Sequence, residues 1–219
     1  MIDFKKFEKY SKPGPRYTSY PTAPEFHEQF TKDDLIEKFK SQSSERPLSL
    51  YIHVPFCRSA CYFCGCNVIF TSKEDKKVKY IEYLKKELLI LAKHLDTNRT
   101  VTQMHFGGGT PTFLSPEQFK EVLDSIKDTF QNFSYDAEIS CEVDPRYFTK
   151  EHMDVLKSAG INRLSFGVQD LDEQVQKTIH RIQPLEQTAQ VVKIARDAGI
   201  KSINIDLIYG LPYQTRETF

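Results

Sequence analysis

The chain has 219 residues, with 30 Lys and Arg balanced by 30 Asp and Glu, 39% hydrophobic and 27% charged residues. That length suits one domain, or one domain with a short extension. The composition excludes a disordered tail, the zero net charge gives no general pull toward nucleic acid or anionic lipid, and no run approaches the ~18 apolar residues of a membrane helix. The opening MIDFKKFEKY carries no apolar signal region, so a soluble cytoplasmic protein is expected.

Residues 1–47 read as an N-terminal extension. PGPRYTSYPTAPEF (13–26) cannot be a regular helix or a central strand, and 31–40 predicts a helix with Leu35, Ile36 and Phe39 on one side. From residue 48 the pattern alternates. LSLYIHVPF (48–56) predicts a strand that leads into a cysteine cluster, and Val78, Ile81, Leu84, Leu88, Leu91 and Leu95 predict a helix near 74–95. A strand over 101–106 ends in Gly107, Gly108 and Gly109. Ser115 as N-cap, Pro116 at the first helical position and Gln118 as capping-box partner open the next helix, whose inner face is Phe119, Val122, Leu123 and Ile126.

Strands follow over 137–143, 163–168 and 202–209. Thr149 caps a helix carrying Met153 and Leu156, and Pro184 opens another that runs to Ala198. Gly160 and Gly199, 39 residues apart, each sit where a helix takes a left-handed C-cap before a strand. Five strands alternating with four helices imply an α/β fold with a parallel sheet. A partial barrel and a doubly wound sheet both fit this pattern. A full (β/α)₈ barrel takes roughly 250 residues, so 48–219 is expected to be an incomplete barrel that stops as a helix begins.

Cys57, Cys61, Cys64 and Cys66 lie within ten residues, and Cys141 stands apart. In a reducing compartment such a cluster favours metal chemistry over disulfides. Spacings of four and three put three thiolates in one tight loop, as iron–sulfur clusters require. Three protein ligands would leave one iron open for chemistry, whereas a zinc knuckle would need a second pair of ligands that does not follow. The triple glycine lets backbone approach a ligand and expose amides, or simply makes a tight turn. It is neither a P-loop nor a dinucleotide fingerprint.

Glu142, Asp144, Gln169, Asp170 and Asp206 collect at strand ends, where parallel α/β folds bind ligands. Asp206 interrupts the apolar run INIDLIYG and is expected to be a buried carboxylate needing a partner such as Arg181. His53 reads as a satisfied core histidine and Cys141 as a packing residue.

Taken together, YTSYPT (17–22), YIHVPFC (51–57), CYFCGC (61–66), HFGGGTP (105–111), EVDP (142–145), GVQD (167–170) and NIDLIYGLP (204–212) resemble the radical S-adenosylmethionine (SAM) enzymes. Within them the resemblance is closer to the oxygen-independent coproporphyrinogen III oxidases than to the related haem chaperones, which lack a cysteine at the place of Cys66. Radical SAM enzymes that open the haem ring share similar loops. The resemblance implies a partial (β/α) barrel and a [4Fe–4S] cluster on Cys57, Cys61 and Cys64, with Cys66 off the iron. It also implies one SAM, with a second nearby, split to a 5′-deoxyadenosyl radical that takes hydrogen from substrate propionates. Loss of CO₂ and one electron, twice, would convert coproporphyrinogen III to protoporphyrinogen IX in haem synthesis.

By the same resemblance Tyr51 and the backbone at Phe63 and Gly65 line the SAM site. Gly108, Gly109 and Thr110 would meet the methionine moiety, Glu142 and Arg181 its polar groups, and Gln169 and Asp206 the ribose. A flavodoxin- or ferredoxin-type electron donor, a monomer, and an N-terminal segment lying close to the site are implied. Family members continue into a separate C-terminal domain, so these 219 residues alone are expected to assemble a cluster poorly and turn over weakly.

Overall fold

A computed structural model describes residues 22–42 and 45–219. Most of the YTSYPT motif lies outside the described residues. The chain divides into two units, Met1–Ser41 and Gln42–Phe219. In the first, a 3₁₀ turn at Ala23–Glu25 precedes helix α1 (Lys32–Ser41). Thr31 and Asp34 exchange bonds across its first turn, with Thr31 N donating to Asp34 Oδ2 at 2.7 Å and Asp34 N to Thr31 Oγ1 at 3.3 Å. Ile36 and Phe39 are half-buried and Leu35 is exposed.

The second unit runs β1 (Leu48–Val54), β2 (Phe56–Cys57), β3 (Ile69–Phe70), α2 (Glu74–Leu91), β4 (Val101–Gly108), α3 (Pro116–Thr129), β5 (Phe133–Val143), α4 (Lys150–Ser158), β6 (Arg163–Gln169), α5 (Glu173–Thr178), α6 (Leu185–Asp197) and β7 (Ser202–Leu207). A five-stranded sheet has the order β1-β4-β5-β6-β7, every pair parallel. Each new strand therefore joins beside the previous one, with no switch of direction. Right-handed crossovers that always step the same way put every helix on one face. This is barrel-type winding, and it decides against the doubly wound alternative.

Alternation along the strands agrees. Ile52, Val54, Met104, Phe106, Ile139, Cys141, Leu164 and Phe166 are buried in the core, on the face that the helices cover. Tyr51, His53, His105, Glu142, Ser165 and Asp206 occupy the alternate positions, which are polar and less buried. A parallel sheet covered on both faces reads as a continuous apolar run; this one keeps a polar face.

The predicted caps form. Ser115 and Gln118 make the reciprocal capping box with Pro116 behind it, and Thr149 accepts from His152 N. Gly160 and Gly199 adopt φ of +84° and +87°. Several expected elements differ: β5 begins at Phe133 rather than at 137, and β7 stops at Leu207 rather than at 209. The first strand ends at Val54, because Phe56 and Cys57 pair instead with Ile69 and Phe70 in a separate two-stranded parallel ladder. Helix α2 ends at Leu91, and Val78 is exposed while Tyr80 turns inward and donates to His53 O at 2.8 Å. Among the described residues no helix is long and apolar enough to cross a membrane.

Candidate cofactor site

The β2/β3 ladder closes the cysteine loop into a cup. Ile69 N donates to Pro55 O at 2.5 Å and Thr71 N to Cys57 O at 3.2 Å, so the two flanks of the loop are tied together. The glycine turn ties the same root to β4: Gly109 N donates to Val54 O at 2.9 Å and Thr110 N to Phe56 O at 2.8 Å. The Gly109 and Thr110 amides are therefore engaged by protein, which favours the tight-turn alternative at this end of the glycine run. The glycine is needed for close approach of backbone to backbone. A Cβ on Gly109 would lie 2.6 Å from Phe56 O, while one on Gly65 would meet nothing within 4 Å. Gly109→Ala is accordingly expected to cost about 1–3 kcal/mol, and Gly65→Ala within about 0.5 kcal/mol, as read from urea unfolding; equal stability of the two variants would refute the close-approach account.

Three further contacts hold the cup from the side. Tyr62 N donates to Ile179 O at 3.0 Å, and its ring stacks on His180 at 5.2 Å between centroids. Arg58 lies over the Tyr147 ring at 4.6 Å.

Cys57, Cys61, Cys64 and Cys66 are free thiols lining one cavity of about 190 Å³. Phe63, Gly108, Gly109, Thr110, Glu142, Gln169, Arg181 and Asp206 line the same cavity, so the strand ends converge on the loop as predicted from their positions. Tyr51 and Gly65 are not on its wall. Tyr51 stacks on His105 at 5.9 Å and its hydroxyl pairs with His53 Nδ1 at 3.0 Å. His53 Nε2 meets Asn67 O at 2.9 Å, so this half-buried histidine is satisfied and braces the cysteine loop. Cys141 is fully buried in the core.

The carboxylates have defined partners. Glu142 Oε2 accepts from Gly108 N at 3.3 Å, and Glu142 Oε1 faces His105 Nε2 at 3.3 Å. Gln169 sits at φ +71°, a left-handed conformation that is costly for a side-chain-bearing residue and often marks a functional position. Asp206 is exposed, bonded by Ser165 Oγ at 3.0 Å and Asn204 Nδ2 at 2.7 Å. It is neither buried nor paired with Arg181, which corrects that expectation.

Arg181 lies elsewhere and deeper. Its side chain is 9% exposed, bonded to Gly167 O at 2.8 Å and paired with Asp144 Oδ2 at 3.2 Å. Asp144 also holds Arg146 at 2.7 Å. The two guanidiniums reach Cys61 Sγ, Arg181 Nη1 at 3.5 Å and Arg146 Nη2 at 3.8 Å. Burial pushes the Asp144 carboxyl up, but the hydrogen bond from Arg146 and the charges of Arg181 and Arg146 outweigh it, leaving it below its ordinary value. Sequence reasoning passed over Arg146 altogether; its place one residue after EVDP is the only local signal.

The donor set fits an iron–sulfur cluster. Burial raises the Cys57 thiol, a hydrogen bond to Thr110 opposes that, and the neighbouring Cys64, Cys61 and Asp144 add to the rise. Burial and the neighbouring Cys64 push the Cys66 thiol up to about 11. Among the described residues no three His, Cys, Asp or Glu side chains gather for a single metal ion. A cubane instead takes each thiolate on a different iron, so its donors ring a hollow rather than meet at a point.

A β/α sheet of barrel winding with a three-cysteine loop after its first strand defines a radical SAM protein. The radical SAM superfamily profile matches residues 51–219, and the chain belongs to that superfamily, whose cofactors are a [4Fe–4S] cluster and SAM. The chain is 64% identical over 221 aligned residues to the oxygen-independent coproporphyrinogen III oxidase of Helicobacter pylori strain J99, covering 100% of this chain and 48% of the relative. It is 46% identical to the enzyme of that name from Escherichia coli K12, covering 99% and 47%. The solved structure of coproporphyrinogen III oxidase from Escherichia coli, a radical SAM enzyme, superposes with a TM-score of 0.87 over 93% of this chain and 46% of that one. The chain thus spans about half the length of the curated relatives it matches.

Proposed function

We propose that the protein carries the cofactor-binding part of an oxygen-independent coproporphyrinogen III oxidase. The observation that supports this best is the convergence on one cavity of Cys57, Cys61 and Cys64 with Glu142, Gln169 and Arg181. Cys57, Cys61 and Cys64 would hold the cluster, with Cys66 off the iron; when bound, the cluster and SAM would supply one-electron radical chemistry able to take hydrogen from a substrate propionate. Each of two propionates of coproporphyrinogen III would then lose CO₂ and pass one further electron to an external one-electron acceptor, leaving a vinyl group of protoporphyrinogen IX.

The protein's own residues bind and orient. Glu142, fixed by Gly108 N and His105, accepts from the SAM amino group, and Arg181 meets its carboxylate. Gln169 and Asp206 take the ribose hydroxyls. Gly108, Gly109 and Thr110 meet the methionine moiety through shape and carbonyls, since their amides are engaged. Phe63 closes the remaining side, and Tyr51 and Gly65, which are off the cavity wall, act at most through their neighbours. A second hollow, lined by His105, Glu138, Ser140 and Arg163, shares Glu142, Ser165 and Asp206 with the first and offers the substrate polar wall beyond SAM. A low-potential flavodoxin- or ferredoxin-type donor reduces the site, in the cytoplasm.

The test is anaerobic reconstitution, with electron paramagnetic resonance recorded before and after SAM, then product analysis with coproporphyrinogen III and a reductant. A cluster signal that SAM perturbs, followed by vinyl product, is the expected result. One zinc per chain with no iron or sulfide would overturn it, as would a stable Soret shift with haem and no CO₂ release.

A further inference from the structure

Arg146 and Asp144 have no task in the reading above; Asp144 is buried and Arg146 half-buried, its side chain 13% exposed. Asp144 is 6% and Arg181 7% exposed as whole residues. Two guanidiniums flank one carboxylate, and among the described residues neither has a second acidic ion-pair partner. One positive charge is therefore left over, partly desolvated, with N–H groups turned to the Cys61 sulfur at 3.5 and 3.8 Å. Burying unbalanced charge is expensive unless an anion meets it, and Arg181 Nε has no hydrogen-bond partner among the described residues.

The scaffold aims this group. Arg146 N donates to Asp144 Oδ1 at 3.0 Å in the turn after β5, which bends the arginine back over the carboxylate. Arg181 is fixed by Gly167 O, and a Cβ on Gly167 would stand 3.2 Å from its Nη2. The turn after β5 and the loop after α5, the latter tied to β6 through Gly167 O, thus deliver two cationic donors to one sulfur.

We propose that Asp144, Arg146 and Arg181 form a cationic seat at Cys61 that sets the reduction potential of the cluster. The proposal rests on the cluster assignment above. One-electron reduction adds a negative charge to the cluster, and both the surplus positive charge and the N–H donors to a ligand sulfur favour that state. Asp144 holds the two arginines side by side and keeps their mutual repulsion from opening the seat.

The test is a redox titration of the anaerobically reconstituted protein without SAM, poised with dithionite and mediators and read by electron paramagnetic resonance. Arg146→Gln removes one donor and its charge, while Arg146→Lys keeps the charge and loses the fork. At a fixed potential the ratio of reduced to oxidised cluster should fall about tenfold in Arg146→Gln, equal to ~59 mV for one electron, and about threefold in Arg146→Lys. A ratio within twofold of the native protein in Arg146→Gln overturns the seat. If that variant does not fold or holds no cluster, Arg146→Lys decides, and an unchanged ratio there overturns it. Native protein that takes up no iron or sulfide defeats the cluster assignment itself, an outcome distinct from a loaded cluster of unshifted potential.

Discussion

Alanine at any one of Cys57, Cys61 or Cys64 is expected to abolish the broad visible absorbance of the reconstituted protein, while Cys66→Ser leaves it largely intact. The loop and its flanks explain the difference. Cys57 ends β2 beside Thr110, its sulfur 3.5 Å from the threonine hydroxyl. Cys61 receives two guanidiniums, and Cys64 N bonds back to Cys61 O at 3.1 Å, curling the loop so that the third thiol faces the same hollow. Cys66 lines the same hollow two residues beyond Cys64, and in the reading proposed above it stays off the iron, so that one iron is left open to SAM. Iron and sulfide analysis beside the spectrum checks the result. Equal loss in Cys66→Ser would put a fourth thiol on iron and remove the open position that SAM needs.

The second large effect falls on stability. Asp144→Asn keeps the shape of the side chain but leaves Arg146 and Arg181 without a counter-charge, and breaking a buried pair in this way costs about 3–5 kcal/mol. The exposed pair of Lys120 and Asp124, 2.6 Å apart on α3, is the contrast, where Asp124→Asn should cost about 0.5 kcal/mol or less. The pH dependence has a fixed sign. The Asp144 carboxyl is held below its ordinary value in the folded protein, so its stabilisation is complete above the unfolded value near ~3.9 and is lost as pH falls through the lower folded one. The deficit of Asp144→Asn should therefore be full at neutral pH and shrink in acid. Urea unfolding of both proteins across that range checks it, and a deficit independent of pH would mean that shape, not charge, is what Asn fails to supply.

What was legible in the sequence was local. The Ser115, Thr149, Gly160 and Gly199 signals each act over one turn, and each formed as read. The apolar periodicity of α3 placed Phe119, Val122, Leu123 and Ile126 in the core. Helix α5 escaped notice because six residues are too few for a periodic pattern, although Asp172 accepting from Val175 N is an ordinary cap. Val78 and Tyr80 exchanged roles because Tyr80 finds a buried acceptor in His53 O.

The site was legible as a set of residue types, less so as a set of pairings. Cysteine spacing is a local code. Which carboxylate meets which arginine depends on strand neighbours, and Asp144 sits 37 positions from Arg181 in the chain. Asp206 misled because INIDLIYG reads as buried on both faces, whereas β7 is the last strand in the order of the sheet and turns Asp206 to the polar side. The triple glycine was legible only as two alternatives, a ligand contact or a tight turn; it makes the turn, Gly109 packing on Phe56 O, while Gly108 and Gly109 also line the cavity.

The two ties at the root of the loop, Val54 and Phe56 to the glycine turn and Phe56–Cys57 to Ile69–Phe70, have one more consequence. They consist of peptide groups alone, so the receptacle is built before any inorganic component arrives. Small zinc modules collapse when chelated because the ion is their core. Architecture and metallation are therefore expected to be separate events here, and stripping the iron should leave an intact vessel that refills.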